Sequence, residues 1–172
     1  QNNISLKDAS AYNIQFKDNK PIFVDTLSLE KLDENIPWKG HKQFCEEFLN
    51  PLVFSSYFNI PFNETYKGNL NGISNNNIIK LLGYKIYLSF SLLINVYLTE
   101  FLSNSSGGSK KTKKRSYKQS QIFLIKNLKK YISKLVYKKN KSSWSNYSNK
   151  NSYTNVSELE KENILKKYLL KE

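Results

Sequence analysis

The chain has 172 residues, 39% hydrophobic and 14% aromatic, which is enough for one ordinary domain with a core. Its single cysteine, Cys45, excludes an internal disulfide and suits a reducing cytoplasm; with a single histidine, His41, a zinc site of the usual kind is excluded as well. The net charge of +13 is divided unevenly, since residues 1–102 hold nine Lys/Arg against ten Asp/Glu and residues 103–172 hold eighteen against four.

The chain opens at Gln1 without the basic stretch, apolar run and small-residue cleavage site of a signal peptide. This start reads as that of a processed product or, more simply, of a fragment of a longer, cytoplasmic protein. Asp8 and Asn13 stand five apart, and an extended run, Asn13 to Phe16, follows. Lys17 to Lys20 is a polar turn. A second extended run, Pro21 to Val24, places Ile22 and Val24 on one side and Phe23 on the other, and delivers Asp25 at its end. The short connection Thr26 to Glu30 is expected to bury Leu27 and Leu29.

Asp33-Glu34-Asn35 before Pro37 predicts a helix start, since proline is favoured in a first turn. Trp38, Phe44/Cys45, Phe48/Leu49 and Leu52 recur at helical spacing, and Pro51 is expected to kink that helix. His41 is placed on its surface and Cys45 on its apolar side, buried and inert. Ile60 to Asn63 and Gly68 to Asn77 read as loops. Leu81 to Leu102 is the most apolar segment, but Lys85, Asn95 and Glu100 interrupt it. It therefore reads as a buried helix and not as a membrane span, which needs about 20 nearly uncharged residues.

Ser103 to Ser120 has the composition of a linker, Ser/Gly-rich and then basic from Lys110 to Arg115. Such a run can meet nucleic-acid phosphates or an anionic membrane, although a solvated linker is the more ordinary reading. Ile122 to Val136 returns to helical spacing, with Leu124/Ile125, Leu128, Tyr131/Ile132 and Leu135 on one face. Trp144, Tyr147 and Tyr153 suit base stacking or, more simply, packing. Ser157-x-x-Glu160 has capping-box form before a last helix.

The chemistry concentrates near the start. In phosphoryl transfer an Asp with an Asn five residues on supplies a base and a metal-binding amide from one loop; an Asp after the next strand supplies a metal carboxylate. Asp8 is thus the candidate catalytic base, and Asn13 and Asp25 are candidate metal ligands. The segment resembles the catalytic loop and metal-binding strand of the protein-kinase-like and aminoglycoside-phosphotransferase-like fold, which implies Mg²⁺ and ATP. Thr26-Leu27 replaces the Phe-Gly of protein kinases, however, and no glycine-rich phosphate loop is present. The plainer reading is an Asp capping a turn and an Asn holding a hairpin.

A longer resemblance covers Leu6 to Phe16, Pro21 to Glu30, Pro37-Trp38, Gln43-Phe44-Cys45 and Phe48 to Leu52, and returns at Trp144 to Tyr147, Tyr153 and Lys161. These residues are similar to the N-terminal region of nodulation-protein-type bacterial methyltransferases that use S-adenosylmethionine. The resemblance implies methyl transfer to an unidentified acceptor, and a downstream methyltransferase domain of the same polypeptide as partner. The six glycines never form G-x-G, so the donor site is not expected within this chain. The fold expected is α+β: a β-hairpin and a mainly helical body like part of a kinase-type C-terminal lobe over 1–102, a basic linker over 103–120, and a helical connector over 121–172.

Overall fold

The computed structural model describes residues 3–105, 117–137 and 154–169. β2 (Ile14–Lys17) and β3 (Lys20–Phe23) form the expected antiparallel hairpin, in register from Ile14 opposite Phe23 to Lys17 opposite Lys20. Asp18 and Asn19 fill the turn with φ of 50° and 60°. Two left-handed residues give the turn a twist that matches the strands, and Asp and Asn tolerate that conformation best after glycine. Phe23 is half-buried, while Ile22 and Val24 are exposed.

A second pair was not legible in the sequence. β1 (Ile4–Leu6) runs antiparallel to β4 (Leu29–Lys31), with Leu6 opposite Leu29. Between β3 and β4, Thr26–Ser28 closes into a 3-10 turn whose buried residue is Ser28. That turn overturns the expected burial of the two leucines: Leu27 is 81% exposed and Leu29 39%. The turn's hydrogen bonds point Ser28 inward and leave Leu27 outside.

The helix expected from Pro37 begins four residues later. Asp33 accepts from the Asn35 backbone N–H at 2.8 Å, a local turn that competes with helix, and Gly40 stands as the residue before α1 (His41–Phe44). α1 runs through a π turn (Cys45–Leu49) into α2 (Asn50–Phe58). Pro51, expected to kink the helix, stands in the first turn of α2, directly after the π turn. The Asn50 N–H reaches back five residues to the Cys45 carbonyl, so the backbone has already widened where proline cannot donate. α3 (Phe62–Gly68) occupies part of an expected loop, and the Asn69 to Ser74 segment leads into α4 (Asn75–Leu82).

The apolar stretch 81–102 is not one helix. Gly83 takes φ of 55° after α4, a 3-10 turn (Gly83–Leu88) follows, and a second helix then rises as α5 (Phe90–Leu92), a π turn (Leu93–Tyr97) and α6 (Leu98–Ser105). Among the described residues no helix is long and apolar enough to cross a membrane. Leu49, Val53, Ile78, Ile86, Leu92 and Val96 form the core, and Leu128 of α7 (Lys118–Ile132) joins it.

The architecture is therefore α+β, with short strand pairs at the front and a helical body. Two compact units are distinguished, residues 1–138 and residues 139–172. In the second, α8 (Asn155–Leu169) is capped by Thr154 and not by Ser157: the Ser157 backbone N–H donates to Thr154 Oγ1, which places Ser157 inside the first turn.

Candidate functional site

Asn13 and Asp25 meet through one hydroxyl. The hairpin between them returns the chain to its starting point, and the Val24 N–H donates to the Asn13 carbonyl at 2.9 Å. Asn13 Nδ2 donates to Ser28 Oγ at 2.9 Å, and that hydroxyl in turn donates to Asp25 Oδ2. Asp25 Oδ1 accepts from the Leu27 backbone N–H at 2.9 Å, the cap of the 3-10 turn. The Ser28 hydroxyl first, and then the Leu27 N–H, hold the Asp25 carboxyl below the usual aspartate range.

Asp8 has different partners. Its Oδ1 accepts from Gln43 Nε2 at 2.8 Å and from the Ser10 N–H at 3.0 Å, while Gln43 Oε1 accepts from the Ala9 N–H. Glu47, one helical turn past Gln43, accepts from the Ala11 N–H at 2.7 Å and from Ser10 Oγ at 3.3 Å. Gln43 and Glu47 thus fasten the Asp8 to Ala11 loop to the first long helix. Among the described residues no three His, Cys, Asp or Glu side chains lie close enough together to hold a metal ion. Asp25 and Asp8 act here as acceptors for the chain's own N–H and O–H groups. Sequence reasoning missed Ser28, Gln43 and Glu47, although the i, i+4 spacing of Gln43 and Glu47 was a readable signal.

His41 is not on the surface: it is 8% exposed, against the sequence expectation. Its Nε2 lies 3.0 Å from Asn95 Oδ1 and 3.7 Å from Cys45 Sγ. Asn95 Nδ2 donates to the Ser91 carbonyl and to Asn127 Oδ1, so Asn95 Oδ1 must be the acceptor toward His41. That assigns the imidazole proton to Nε2 and leaves no base for the thiol at that nitrogen. Burial, then the nearby Glu46 charge, pushes the Cys45 thiol up to about 12, and Cys45 is buried as expected. The pair is a structural contact, not a nucleophile and its base.

The third feature is a cleft. β1 and β4 form one wall and α7 the other, with Trp38 and Phe44 at the floor. Trp38 Nε1 donates to the Leu6 carbonyl at 2.7 Å, and a Cβ on Gly40 would stand 2.8 Å from that same oxygen. α7 is held in place by Gln121 Nε2 on the Ile36 carbonyl at 2.9 Å and by Lys118 on Glu34 at 2.7 Å. The cleft encloses about 460 Å³ and is lined mostly by apolar side chains. The Lys110–Arg115 run and Trp144, Tyr147 and Tyr153 lie outside the described residues.

Over 156 residues, 87% of the chain, the sequence is 35% identical to nodulation protein NoeA of Rhizobium meliloti (strain 1021). The match covers 33% of that protein, so the chain spans about a third of the length of the curated relative it matches. No family model matches the chain, and no solved structure does. The kinase-like resemblance of residues 6–25 is therefore left without support, while the nodulation-protein-type relationship holds over most of the chain.

Proposed function

We propose, for a chain of nodulation-protein type, that it is the part of a cytoplasmic S-adenosylmethionine-dependent methyltransferase that lies outside the methyl-donor site. The observation that carries this reading is the 35% identity over 87% of the chain to a much longer nodulation protein. The resemblance of residues 4–53 to the front region of nodulation-protein-type methyltransferases, read from the sequence alone, suggests the reaction class. A downstream domain of the same polypeptide would hold the donor, and the methyl acceptor is its other partner.

Two structural features support the division of labour. A methyl-donor site of the doubly wound kind is built where a parallel strand ends in a glycine-rich loop. The strands among the described residues form antiparallel pairs. Two of the six glycines have other tasks: Gly40 lies against the Leu6 carbonyl and Gly72 against the backbone of Glu46.

Equilibrium dialysis with labelled S-adenosylmethionine tests both halves of the reading. The complete gene product that carries this sequence should retain the donor, and the 172-residue chain should not. Failure of the complete product to bind would remove the methyltransferase reading. Binding by the 172-residue chain alone would put the donor site in the wrong place.

A further inference from the structure

The cleft between the β1–β4 pair and α7 has the volume of a small-molecule site, which typically runs from about 300 to 1,000 Å³. Its walls include Ile4, Leu29 and Ile125, which stay 54%, 39% and 51% exposed although they face a concave surface. The polar groups on the lining are Ser5, Gln121 and Lys129. Gln121 already uses its Nε2 on the Ile36 carbonyl. The Leu6 carbonyl, a backbone acceptor of β1, is taken by Trp38.

The side chains of the lining offer few partners to the backbone groups of an extended peptide, and unpaired polar groups are costly to bury. A flat bilayer cannot enter a space walled on two sides. An alkyl chain has no hydrogen bonds to satisfy, and it suits the lining. Lys129 supplies the one charge. No carboxylate lines the cleft, and no acidic residue occurs between Ser103 and Ser157. Lys129 is thus an exposed cation on a mostly apolar lining, and none of the ion pairs among the described residues takes it.

We propose that this cleft binds a free long-chain alkyl carboxylate, with the chain against Leu6, Trp38, Phe44 and Leu128 and the carboxylate at Lys129 Nζ. The site is independent of the methyl-transfer reading. It would let the chain hold an amphiphile whichever reaction the neighbouring parts perform.

Calorimetric titration of the 172-residue chain with sodium dodecanoate, kept below micelle formation, is the test. Dodecan-1-ol serves as the uncharged comparison, and the fluorescence of Trp38 in a Trp144→Phe background reports the location. Saturable one-to-one binding of dodecanoate with a Trp38 response is expected. Lys129→Gln should weaken dodecanoate about tenfold or more and leave dodecanol unchanged, as loss of a charge-assisted bond implies. Ile125→Asp, exposed enough to be tolerated by the fold, should weaken both. Far-ultraviolet circular dichroism and the urea midpoint establish that each variant is folded. No saturable binding, equal dodecanoate affinity in Lys129→Gln, unchanged binding in Ile125→Asp, or binding only to anionic phosphatidylglycerol vesicles would each overturn the proposal.

Discussion

Ser28 joins Asn13 to Asp25 at the front of the chain. It is buried, receives the Asn13 amide and donates to Asp25, so one hydroxyl closes the base of the hairpin. Asp25 has a carboxyl pKa below its ordinary value, so its contribution to stability is present above the ordinary aspartate range and is lost as pH falls through the folded value. Ser28→Ala should raise the Asp25 titration toward that ordinary range in a carboxyl-carbon NMR titration. An unchanged titration would mean that the Leu27 N–H alone holds the carboxylate. His41 carries the opposite charge chemistry but the same direction of pH effect. Burial lowers its pKa, with the Asn95 bond opposing, so the unfolded chain takes a proton first. Stability is then full above the ordinary histidine value of about 6.5 and falls as pH drops below it, down to the folded value. The urea midpoint should decline from pH 7.5 to 5.5, and His41→Gln should flatten that decline.

Elements were legible in the sequence where the signal was local. Asp18-Asn19 between two apolar runs predicts the β2–β3 hairpin, and the chain bears this out. The β1–β4 pair escaped because three-residue strands carry no alternation, and their partners lie 23 to 27 residues apart. The sequence predicts the first long helix and its buried Cys45 and Leu49, but not the burial of His41. His41, Cys45, Leu49 and Val53 fall four apart on one buried stripe, and a lone polar residue at such a position does not announce its burial in the sequence. The π turn at Cys45–Leu49 has no period of its own to detect, yet it determines what packs there. The Ile73 N–H donates to the Glu46 carbonyl at 2.8 Å, and Asn50 Nδ2 donates to the Ile73 carbonyl at 2.8 Å. Gly72 sits in this contact with φ of 80°, and a Cβ there would collide with the Glu46 backbone. Gly72→Ala should therefore cost about 3 kcal/mol or more by urea denaturation, from left-handed strain plus overpacking. Gly68→Ala has open space and should fall within about 1 kcal/mol of the parent. Equal effects of the two would show that the loop shifts away from the π turn freely.

At the scale of the molecule, charge and packing divide the chain differently. The excess of lysine begins at residue 103, but α7, which lies within that basic part, sends Leu128 into the core and Asn127 to the Asn95 amide. Composition alone cannot place a helix whose one apolar stripe is flanked by lysines, because the same pattern serves a connector and a core-facing helix. The candidate site had the same limit. Asp8, Asn13 and Asp25 were singled out by spacing, and the structure joins Asn13 to Asp25 through Ser28 and fastens Asp8 to Gln43. The cleft, made by residues from β1, β4, the first long helix and α7, has no contiguous motif to read.

What we propose is that the chain belongs to a methyltransferase yet does not itself hold the methyl donor. Ultraviolet cross-linking of S-adenosyl-L-[methyl-³H]methionine to the complete gene product, followed by peptide mapping, tests it most directly. The account predicts label displaced by excess unlabelled donor and recovered only from peptides outside residues 1–172. Displaceable label within residues 1–172, or none anywhere in the product, would contradict it.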